Sequence, residues 1–386
     1  MMRPDCLRPT REDELADIIS DAASDGAALM IAGGGSKAAV GAPSDARVVD
    51  LTGFAGVVDY DPSELVLTVR PGTPLAEVEA LVKAHDQMLA FEPFDHGPIF
   101  GEPTGRATIG GVVAAGVAGS QRVSAGSARD HLLGFRAVSG RGEAFVAGGK
   151  VVKNVTGYDL PKLAAGSWGR LFAMTELTLK VLPRPKVVET RVIRGLDEAT
   201  AVSAMALAMR SRAEVAAAAF VPGAPADGRS LTALRIQGFG PSVEARCAML
   251  AELLAPIGSL EAEDRDGPSV WDDLKTLRPL GSDRPLWRIN IPPSASPAVT
   301  DALRPLGADW MLDWAGGLIW IAHDGDPAPI RAAAARSGGH ATLVRGPAAM
   351  RALVPAFHPQ APGVAALEER VRRAFDPQRV FETGRF

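Results

Sequence analysis

The 386-residue sequence has few of the side chains that build metal and disulfide sites. Its two cysteines, Cys6 and Cys247, are too few for a disulfide framework, a structural zinc site or an iron-sulfur cluster. The six histidines are scattered along the chain, and no two of them have the spacing of metal ligands. We therefore predict no metal site, and the sparse cysteines are typical of a reducing, cytoplasmic location.

Long hydrophobic runs and clusters of basic residues are also missing. No run approaches the roughly 18 apolar residues that span a bilayer, and residues 1–10 lack the apolar core of a signal peptide. The net charge is -4 and there is no lysine or arginine run, so we predict no nucleic-acid surface and no basic membrane patch. Small molecules or other proteins are the expected partners.

The apolar content of 47% is enough for two or three domains with their own cores. Up to Val181, short apolar segments separated by glycine predict an α+β fold, with strands at 28–32, 47–51 and 65–70. After Pro183-Arg184-Pro185 the pattern changes to longer strands and helices, which predicts a second sheet with helices on one side. We expect domain limits at 1–185, 186–355 and 356–386. The later strands are predicted at 187–193, 217–221, 231–237, 287–291, 310–314 and 318–322, and helices at 197–212, 243–254, 298–306, 330–337 and 364–375.

A glycine loop follows the first predicted strand and reads Gly33-Gly34-Gly35-Ser36-Lys37. It fits a Rossmann fingerprint weakly, but residues 36–46 are too short and too interrupted for the parallel crossover of that fold, so we reject it. Two interpretations remain. Successive backbone N–H groups could bind a phosphate, with Ser36 as a further donor, or the glycines could form an ordinary surface turn.

A second glycine cluster, Thr108-Ile109-Gly110-Gly111, opens a run of small residues that reaches Ser120. Such a run indicates close approach of the backbone to a flat ligand or to another backbone. The alternative is a small-residue helix packed tightly on a sheet. Gly166-Ser167-Trp168-Gly169 repeats the pattern, and two clusters of this kind favour a large, extended, anionic ligand.

Several longer motifs resemble a known family. The segments 107–111, 125–130, 152–159 and 179–185 are similar to the FAD-binding E-type subunits of glycolate oxidase, which carry the PCMH-type FAD-binding domain of the vanillyl-alcohol oxidase superfamily. Residues 5–185 resemble that domain, and 286–293 and 313–317 resemble the family's cap region. The resemblance implies an α+β fold: an FAD domain of two α+β subdomains, a smaller α+β cap domain with an antiparallel sheet, and a C-terminal segment that packs back on the FAD domain.

The resemblance also implies an FAD channel. Lys153 and Asn154 could bind the flavin rim or form a solvated turn. No histidine adjoins Ser36 and no cysteine lies in the second cluster, so we predict non-covalent FAD. The expected cofactor-binding residues are Ala32, Gly33, Gly34, Gly35, Ser36, Lys37, Pro71, Gly72, Pro103, Thr104, Thr108, Ile109, Gly110, Gly111, Ala114, Ser120, Gly126, Asp130, Lys153, Asn154, Gly157, Tyr158, Gly166, Ser167, Thr175 and Glu176.

The implied activity is oxidation of glycolate, a 2-hydroxy acid, to glyoxylate within a complex. The expected partners are a related FAD-containing catalytic subunit and an iron-sulfur subunit that receives the electrons, with location in the cytoplasm or at the inner face of the membrane through those partners. The sequence leaves the catalytic residues unknown, and Arg288 and His358 are the first candidates for mutation. Two alternatives stay open. One is a non-catalytic scaffold, motivated by Arg170 and by the unusual ending Glu382-Thr383-Gly384-Arg385, and the other is a stand-alone flavin dehydrogenase of another hydroxy acid or alcohol.

Overall fold

The computed structural model describes residues 6–149, 157–223, 228–263 and 268–386. Its first sheet is parallel, with strands β1 (Cys6–Leu7), β2 (Leu29–Ala32) and β3 (Arg47–Asp50) in the order β1, β3, β2. Helix α1 (Glu12–Asp25) covers this sheet with the apolar stripe Leu15, Ile19 and Ala22. The stripe has the helical spacing expected of a core-facing surface.

The connection between β2 and β3 corrects one sequence-based expectation. Residues 33–46 contain turns and no helix, as the glycines and Pro43 predict, so the crossover helix of a Rossmann unit is missing from this connection. The two strands nevertheless pair in parallel, from Leu29 opposite Arg47 to Ala32 opposite Asp50. The premise that the connection is too short for a parallel crossover was wrong, because it counted only residues 36–46, whereas the connection extends over residues 33–46 and is long enough for parallel pairing without a helix.

A second, antiparallel sheet completes this half of the chain. The elements between residues 57 and 183 are β4 (Val57–Asp61), β5 (Val66–Val69), α2 (Leu75–Ala84), β6 (Gln87–Met88), α3 (Ile109–Ala115), α4 (Arg122–Ala125), α5 (Ala128–His131), β7 (Leu132–Ser139), β8 (Ala144–Gly148), α6 (Leu160–Ala164), β9 (Phe172–Lys180) and β10 (Leu182–Pro183). The strands of this sheet lie in the order β4, β5, β9, β7, β8, and its apolar face packs on α2 and α3 around Phe91, Ile109 and Leu177.

The region after residue 185 forms a single eight-stranded antiparallel sheet with helices. Its elements are β11 (Val187–Arg194), α7 (Glu198–Met209), β12 (Ala217–Val221), β13 (Leu231–Gly238), α8 (Gly240–Leu254), β14 (Glu261–Ala262), α9 (Val270–Thr276), β15 (Leu286–Asn290), α10 (Ser296–Leu303), β16 (Asp309–Asp313), β17 (Leu318–Ala322), α11 (Pro327–Arg336) and β18 (His340–Arg345). The strands lie in the order β14, β11, β13, β12, β16, β17, β15, β18. Helices α7, α8, α10 and α11 cover one face, and residues 94–123 of the first half pack against the other face.

The end of the chain returns to the first sheet. After α12 (Ala348–Leu353) and α13 (Pro362–Phe375), the backbone carbonyl of Val380 accepts a hydrogen bond from Leu29 N at 2.7 Å, and Phe381 joins the core of the first sheet. We propose that the domain limits lie after residues 185 and 355, with residues 356–386 as the returning segment. The predicted class, α+β with an antiparallel cap sheet, is confirmed by the mixed helices and antiparallel sheets.

Candidate functional site

A cleft with a cavity volume of about 150 Å³ opens beside the glycine loop. It lies between the end of β2, the start of α3, the turn before β9 and the last residues of the chain. Its shape therefore depends on four segments that are far apart in the sequence. Residues that line it are Leu29, Met30, Ile31, Ala32, Gly33, Gly34, Gly35, Ser36, Lys37, Ala38, Leu51, Pro71, Thr108, Gly110, Gly111, Ala114, Ala115, Trp168, Gly169, Arg170, Phe172, Met174, Phe381, Thr383, Arg385 and Phe386.

The glycine loop packs directly on the segment before α3. A Cβ atom on Gly34 would lie 1.8 Å from the backbone oxygen of Arg106, and a Cβ on Gly33 would lie 2.3 Å from the hydroxyl oxygen of Thr108. Gly35 has a φ of 79°, which L side chains adopt at a cost. The glycines therefore bring the two sequence clusters together, and both line the same cleft.

Helix α3 begins at this contact. The Thr108 hydroxyl accepts a hydrogen bond from Gly111 N at 3.3 Å and so caps the helix. A Cβ on Gly110 would lie 2.4 Å from Cβ of Pro71, so this glycine allows the helix to pack on Pro71. The small-residue run is thus a helix at its start, as the alternative interpretation predicted. Its exposed side still forms one wall of the cleft.

Lys37 is the buried cation of the cleft. Its Nζ lies 3.4 Å from Oγ of Ser36, and it has no salt bridge to any residue in the described ranges. Burial lowers the pKa of Lys37 to about 8, and the charge of Asp95 opposes this shift. The Asp95 carboxylate is itself engaged by the backbone N–H groups of Gly97, Arg106 and other neighbours. An anionic ligand in the cleft would therefore supply the counter-charge that Lys37 lacks.

The other end of the cleft is aromatic and involves the end of the chain. The rings of Phe386 and Phe357 stack with centroids 4.9 Å apart, and Trp168 lies 5.2 Å from Phe386. Arg385 fixes this end to the glycine loop, donating to the carbonyl oxygens of Val40 at 2.6 Å and Lys37 at 2.7 Å. The chain terminus therefore forms part of the wall.

The structure brings eleven of the sequence-predicted site residues to the cleft wall. They come from three segments, namely the end of β2 with the loop after it, the turn at Pro71 and the start of α3. These residues are Ala32, Gly33, Gly34, Gly35, Ser36, Lys37, Pro71, Thr108, Gly110, Gly111 and Ala114.

Other predicted residues lie directly behind this wall. Ile109 is fully buried in the core, and Gly72 N donates to the Phe54 carbonyl at 2.7 Å. Gly166 N donates to the Val113 carbonyl in α3, and the neighbouring Ser167 hydroxyl is buried without a hydrogen-bond partner among the described residues. These positions support the wall.

The remaining predicted residues lie away from the cleft wall. Ser120 donates to the Asp313 carboxylate at 2.8 Å, and Thr175, beside Glu176 on β9, donates to Glu12 at 2.7 Å. Asp130 follows Gly126 and accepts from Ser127 in a capping box. Pro103, Thr104, Gly157 and Tyr158 are exposed, and Lys153 and Asn154 lie outside the described residues.

Several wall residues were missed by the sequence-based prediction. Those at the end of the chain come to the cleft only through long-range packing. The unusual ending Glu382-Thr383-Gly384-Arg385 was noted in the sequence, but its position in the cleft wall was not predicted. Trp168 lies inside the glycine pattern Gly166-Ser167-Trp168-Gly169, and its φ of 56° places it in the left-handed region. The missed residues include Met30, Ile31, Trp168, Arg170, Phe172, Met174, Phe381, Thr383, Arg385 and Phe386.

The wall is suited to FAD in its chemistry. A long ligand with a diphosphate needs a buried cation, backbone N–H donors and extensive apolar surface, and the cleft offers Lys37, the glycine loop and the aromatic end. The described wall contains no histidine, cysteine or tyrosine to which a flavin could be covalently attached. In the described parts of the chain, no group of three His, Cys, Asp or Glu side chains is arranged to bind a metal.

Comparison with known proteins gives the same result. Residues 6–148 match the FAD binding domain family. The solved structure of p-cresol methylhydroxylase with substrate bound superposes with a TM-score of 0.72 at 14% identity, covering 98% of this chain and 88% of that chain. An alkyldihydroxyacetonephosphate synthase gives 0.69 at 16% identity, with 98% and 76% coverage. At such low identities these two likenesses establish the fold alone.

Sequence relatives extend the comparison. The glycolate oxidase subunit GlcD of Bacillus subtilis (strain 168) is 27% identical over 48% of this chain and 38% of its own length. The glycolate oxidase subunit GlcE of Escherichia coli (strain K12) is 33% identical over 373 residues, which are 96% of both chains. The FAD binding domain match and these relatives confirm the predicted cofactor. The chain belongs to the family of the glycolate oxidase subunit GlcE.

Proposed function

We propose that this chain is the FAD-binding subunit of a complex that oxidises glycolate, a 2-hydroxy acid, to glyoxylate. The observation that carries the proposal is the match to glycolate oxidase subunit GlcE, which extends over 96% of both chains and so includes the cap region as well as the FAD domain. Relatives named D-lactate dehydrogenase match a shorter part, 38% of this chain in the Anaerostipes hadrus protein. Glycolate and D-lactate, which appear in these names, are both 2-hydroxy acids.

Within the cleft we assign the residues that hold FAD by their chemistry. The loop Gly33–Lys37 offers backbone N–H groups and a buried ammonium to the diphosphate, and the start of α3 lies against the same ligand. The aromatic end, Trp168 and Phe386, provides flat apolar surface. When bound, FAD supplies the two-electron acceptor for oxidation of the hydroxy acid. The chain's own contribution is to bind and orient the flavin and to exclude water from it.

We propose that FAD is held non-covalently and that the electrons leave through other subunits. Cys6 is partly exposed on β1 and Cys247 is buried on α8, and neither forms a disulfide. Two thiols cannot provide the four thiolates of a typical iron-sulfur cluster. We therefore place the cluster on an iron-sulfur subunit, and we expect a related flavin subunit beside this chain, all within the cytoplasm or at the inner membrane face. In the described residues, no helix is both long and apolar enough to cross a membrane.

The open cleft favours a cofactor-binding role over a scaffold role. A cleft that is lined by the glycine loop and by a buried lysine without a salt bridge to a described residue is expected of a cofactor site more than of a scaffold that has lost FAD. Arg170, one reason for considering the scaffold, lines this cleft and pairs with Glu368 at 2.9 Å. Its guanidinium therefore has a defined position in the wall.

The test is purification of the chain alone and together with its two expected partner subunits. We expect flavin absorbance in the chain alone, release of all flavin into the supernatant on acid precipitation, and anaerobic bleaching of the flavin by glycolate in the complex. A chain that is folded but free of flavin after incubation with excess FAD would refute cofactor binding. Flavin that stays in the acid precipitate would refute the non-covalent assignment.

A further inference from the structure

Two arginine side chains from distant parts of the sequence meet on one tryptophan. The guanidinium carbon of Arg122, on α4, lies 4.4 Å from the ring centroid of Trp314, and that of Arg288, on β15, lies 5.0 Å from it. Arg288 also lies 5.9 Å from the ring of Trp320. Neither arginine forms a salt bridge or hydrogen bond with any residue that the structure describes. Two neighbouring cations thus share an aromatic surface without a paired anion.

Two carboxylates interact electrostatically with the pair, Asp313 with Arg288 and Asp130 with Arg122, and both already accept hydrogen bonds from other groups. Asp313 is buried, and its oxygens accept hydrogen bonds from Ser120 Oγ at 2.8 Å and from Trp314 N at 2.7 Å. Burial raises the pKa of Asp313 to about 7, so a large share of this group is neutral near neutral pH. The charge of the arginine pair is therefore only partly balanced from within the described protein.

One histidine, His96, interacts with the charges of both the arginine pair and the glycine loop. The pKa of His96 lies well below its usual value, first because the ring is buried and next because of the charges of Lys37 and Arg288. Lys37 of the cleft wall and Arg288 of the cap sheet thus both disfavour protonation of the same histidine. Burial and the charge of Arg122 lower the pKa of Arg288 to about 10, so Arg288 remains positive at neutral pH.

Trp314 is held rigidly against the FAD domain. Its Nε1 donates to the carbonyl oxygen of Gly119 at 3.0 Å, and Trp314 and Ala315 have φ values of 54° and 56°. Consecutive L residues in the left-handed region are strained and persist only where surrounding contacts fix them. Gly119 belongs to the small-residue segment whose first residues line the cleft. The Trp314 ring is thus hydrogen-bonded to the same short segment of chain that lines the cleft at its start.

We propose that Arg122 and Arg288, stacked on Trp314, form a site in this chain for the carboxylate of a small 2-hydroxy acid. The inference rests on the proposed function and extends it, because it assigns substrate binding to this chain and not only to a partner subunit. Stacking uses the flat faces of the guanidinium groups and leaves their N–H edges free to bind a carboxylate in a bidentate manner. A pair of such groups selects an anion over a neutral alcohol.

The test uses the full-length chain loaded with FAD and oxalate as the probe, because oxalate carries carboxylates but has no C–H bond to lose. Oxalate is titrated while the flavin difference spectrum is recorded, with the uncharged oxamide as the comparison ligand. We expect saturable binding of oxalate alone. Arg122→Leu and Arg288→Leu should each raise the dissociation constant about tenfold or more, with FAD content unchanged.

Arg304→Leu is the matched control. Arg304 also stacks on a tryptophan of the cap sheet, at 4.6 Å from the ring of Trp310, but it has carboxylate partners in Asp301 and Glu198. Its oxalate affinity should equal that of the wild type. Unchanged oxalate affinity in both FAD-loaded test variants would overturn the proposal. Loss of FAD from these variants would also overturn it, since the pair would then serve the cofactor.

A second measurement needs no variant. Phenylglyoxal modifies accessible arginines, and peptide mass spectrometry gives the extent at each position. With oxalate present, modification of Arg122 and Arg288 should fall at least several-fold, while that of Arg304 should not change. Equal modification with and without oxalate would exclude the site even if the leucine variants fail to fold. Absence of flavin from the chain is a separate outcome, which counts against the proposed function.

Discussion

Lys37 predicts a pH dependence of FAD affinity. Its ammonium is buried in the cleft wall without a salt bridge to any described residue, and burial lowers its pKa from 10.5 to about 8. The diphosphate of FAD is anionic, so it favours the protonated form of Lys37. At pH values where Lys37 of the FAD-free protein has lost its proton, FAD binding is therefore accompanied by the uptake of a proton. Affinity should fall as the pH rises through 8.

The size of the effect follows from the pKa. With a pKa of about 8, the charged fraction of Lys37 falls about tenfold between pH 7 and pH 9, so the dissociation constant of FAD should rise about tenfold over this interval. The stability of the FAD-free protein should change in the opposite direction. Because the folded-state pKa is depressed, the unfolded state binds more protons between pH 8 and 10.5, and stability contributed by this group increases with pH there.

The assay is a titration of the FAD-free chain with FAD at pH 7, 8 and 9, followed by quenching of flavin fluorescence. Lys37→Met should bind FAD more weakly at pH 7 and lose the pH dependence. Lys186→Met removes an exposed lysine that pairs with Asp86 at 3.3 Å, and it should keep the wild-type slope. A Lys37→Met protein whose FAD affinity falls with pH as steeply as the wild type would refute the reasoning.

Three further predictions concern a packing contact, a pair of hydrogen bonds and a buried salt bridge. Gly34→Ala places a Cβ 1.8 Å from the Arg106 oxygen, so we expect a loss of about 1–3 kcal/mol in thermal unfolding, whereas Gly363→Ala, with nothing within 4 Å, should have no such cost. Arg385→Ala removes the donors to Val40 and Lys37, so FAD retention on gel filtration should fall about tenfold, and full retention would contradict the assignment of this wall. Glu92→Gln leaves buried Arg235 without its salt bridge, and urea unfolding should show a loss of about 3–5 kcal/mol; a loss below about 1 kcal/mol would show that the pair is effectively solvated.

Local sequence patterns predicted most strands and helices of this fold. The segments 217–221 and 318–322 match β12 and β17 residue for residue, because alternation and turn residues act within a few positions of the chain. β18 was missed since its sequence, His340–Arg345, begins with polar and small residues, and its assignment depends on pairing with β15. Long-range pairing of this kind has no local signal.

The site was predictable to a similar extent. Gly33 to Lys37 and Thr108 to Gly111 carry conformational signals that can be recognised in isolation, and both line the cleft. Phe386 and Arg385 reach the cleft only because the chain returns across the first sheet. Arg122 could not be connected with Arg288 from the sequence, since the two meet only through the packing of α4 on the cap sheet.

The small residues of segment 108–120 have several structural reasons, and close approach to a flat ligand is not the only one. A Cβ on Gly110 would collide with Pro71, and a Cβ on Gly119 would lie 2.6 Å from the side chain of Glu92. Gly116 ends α3 with a φ of 64°. Gly110, Gly116 and Gly119 are thus each required by a contact or a conformation within the protein, and only part of the segment lines the cleft. Small side chains alone therefore do not identify a cofactor site. The buried charge of Lys37 is the independent chemical observation that supports our proposal of a diphosphate there, because its ammonium has no salt bridge to a described residue.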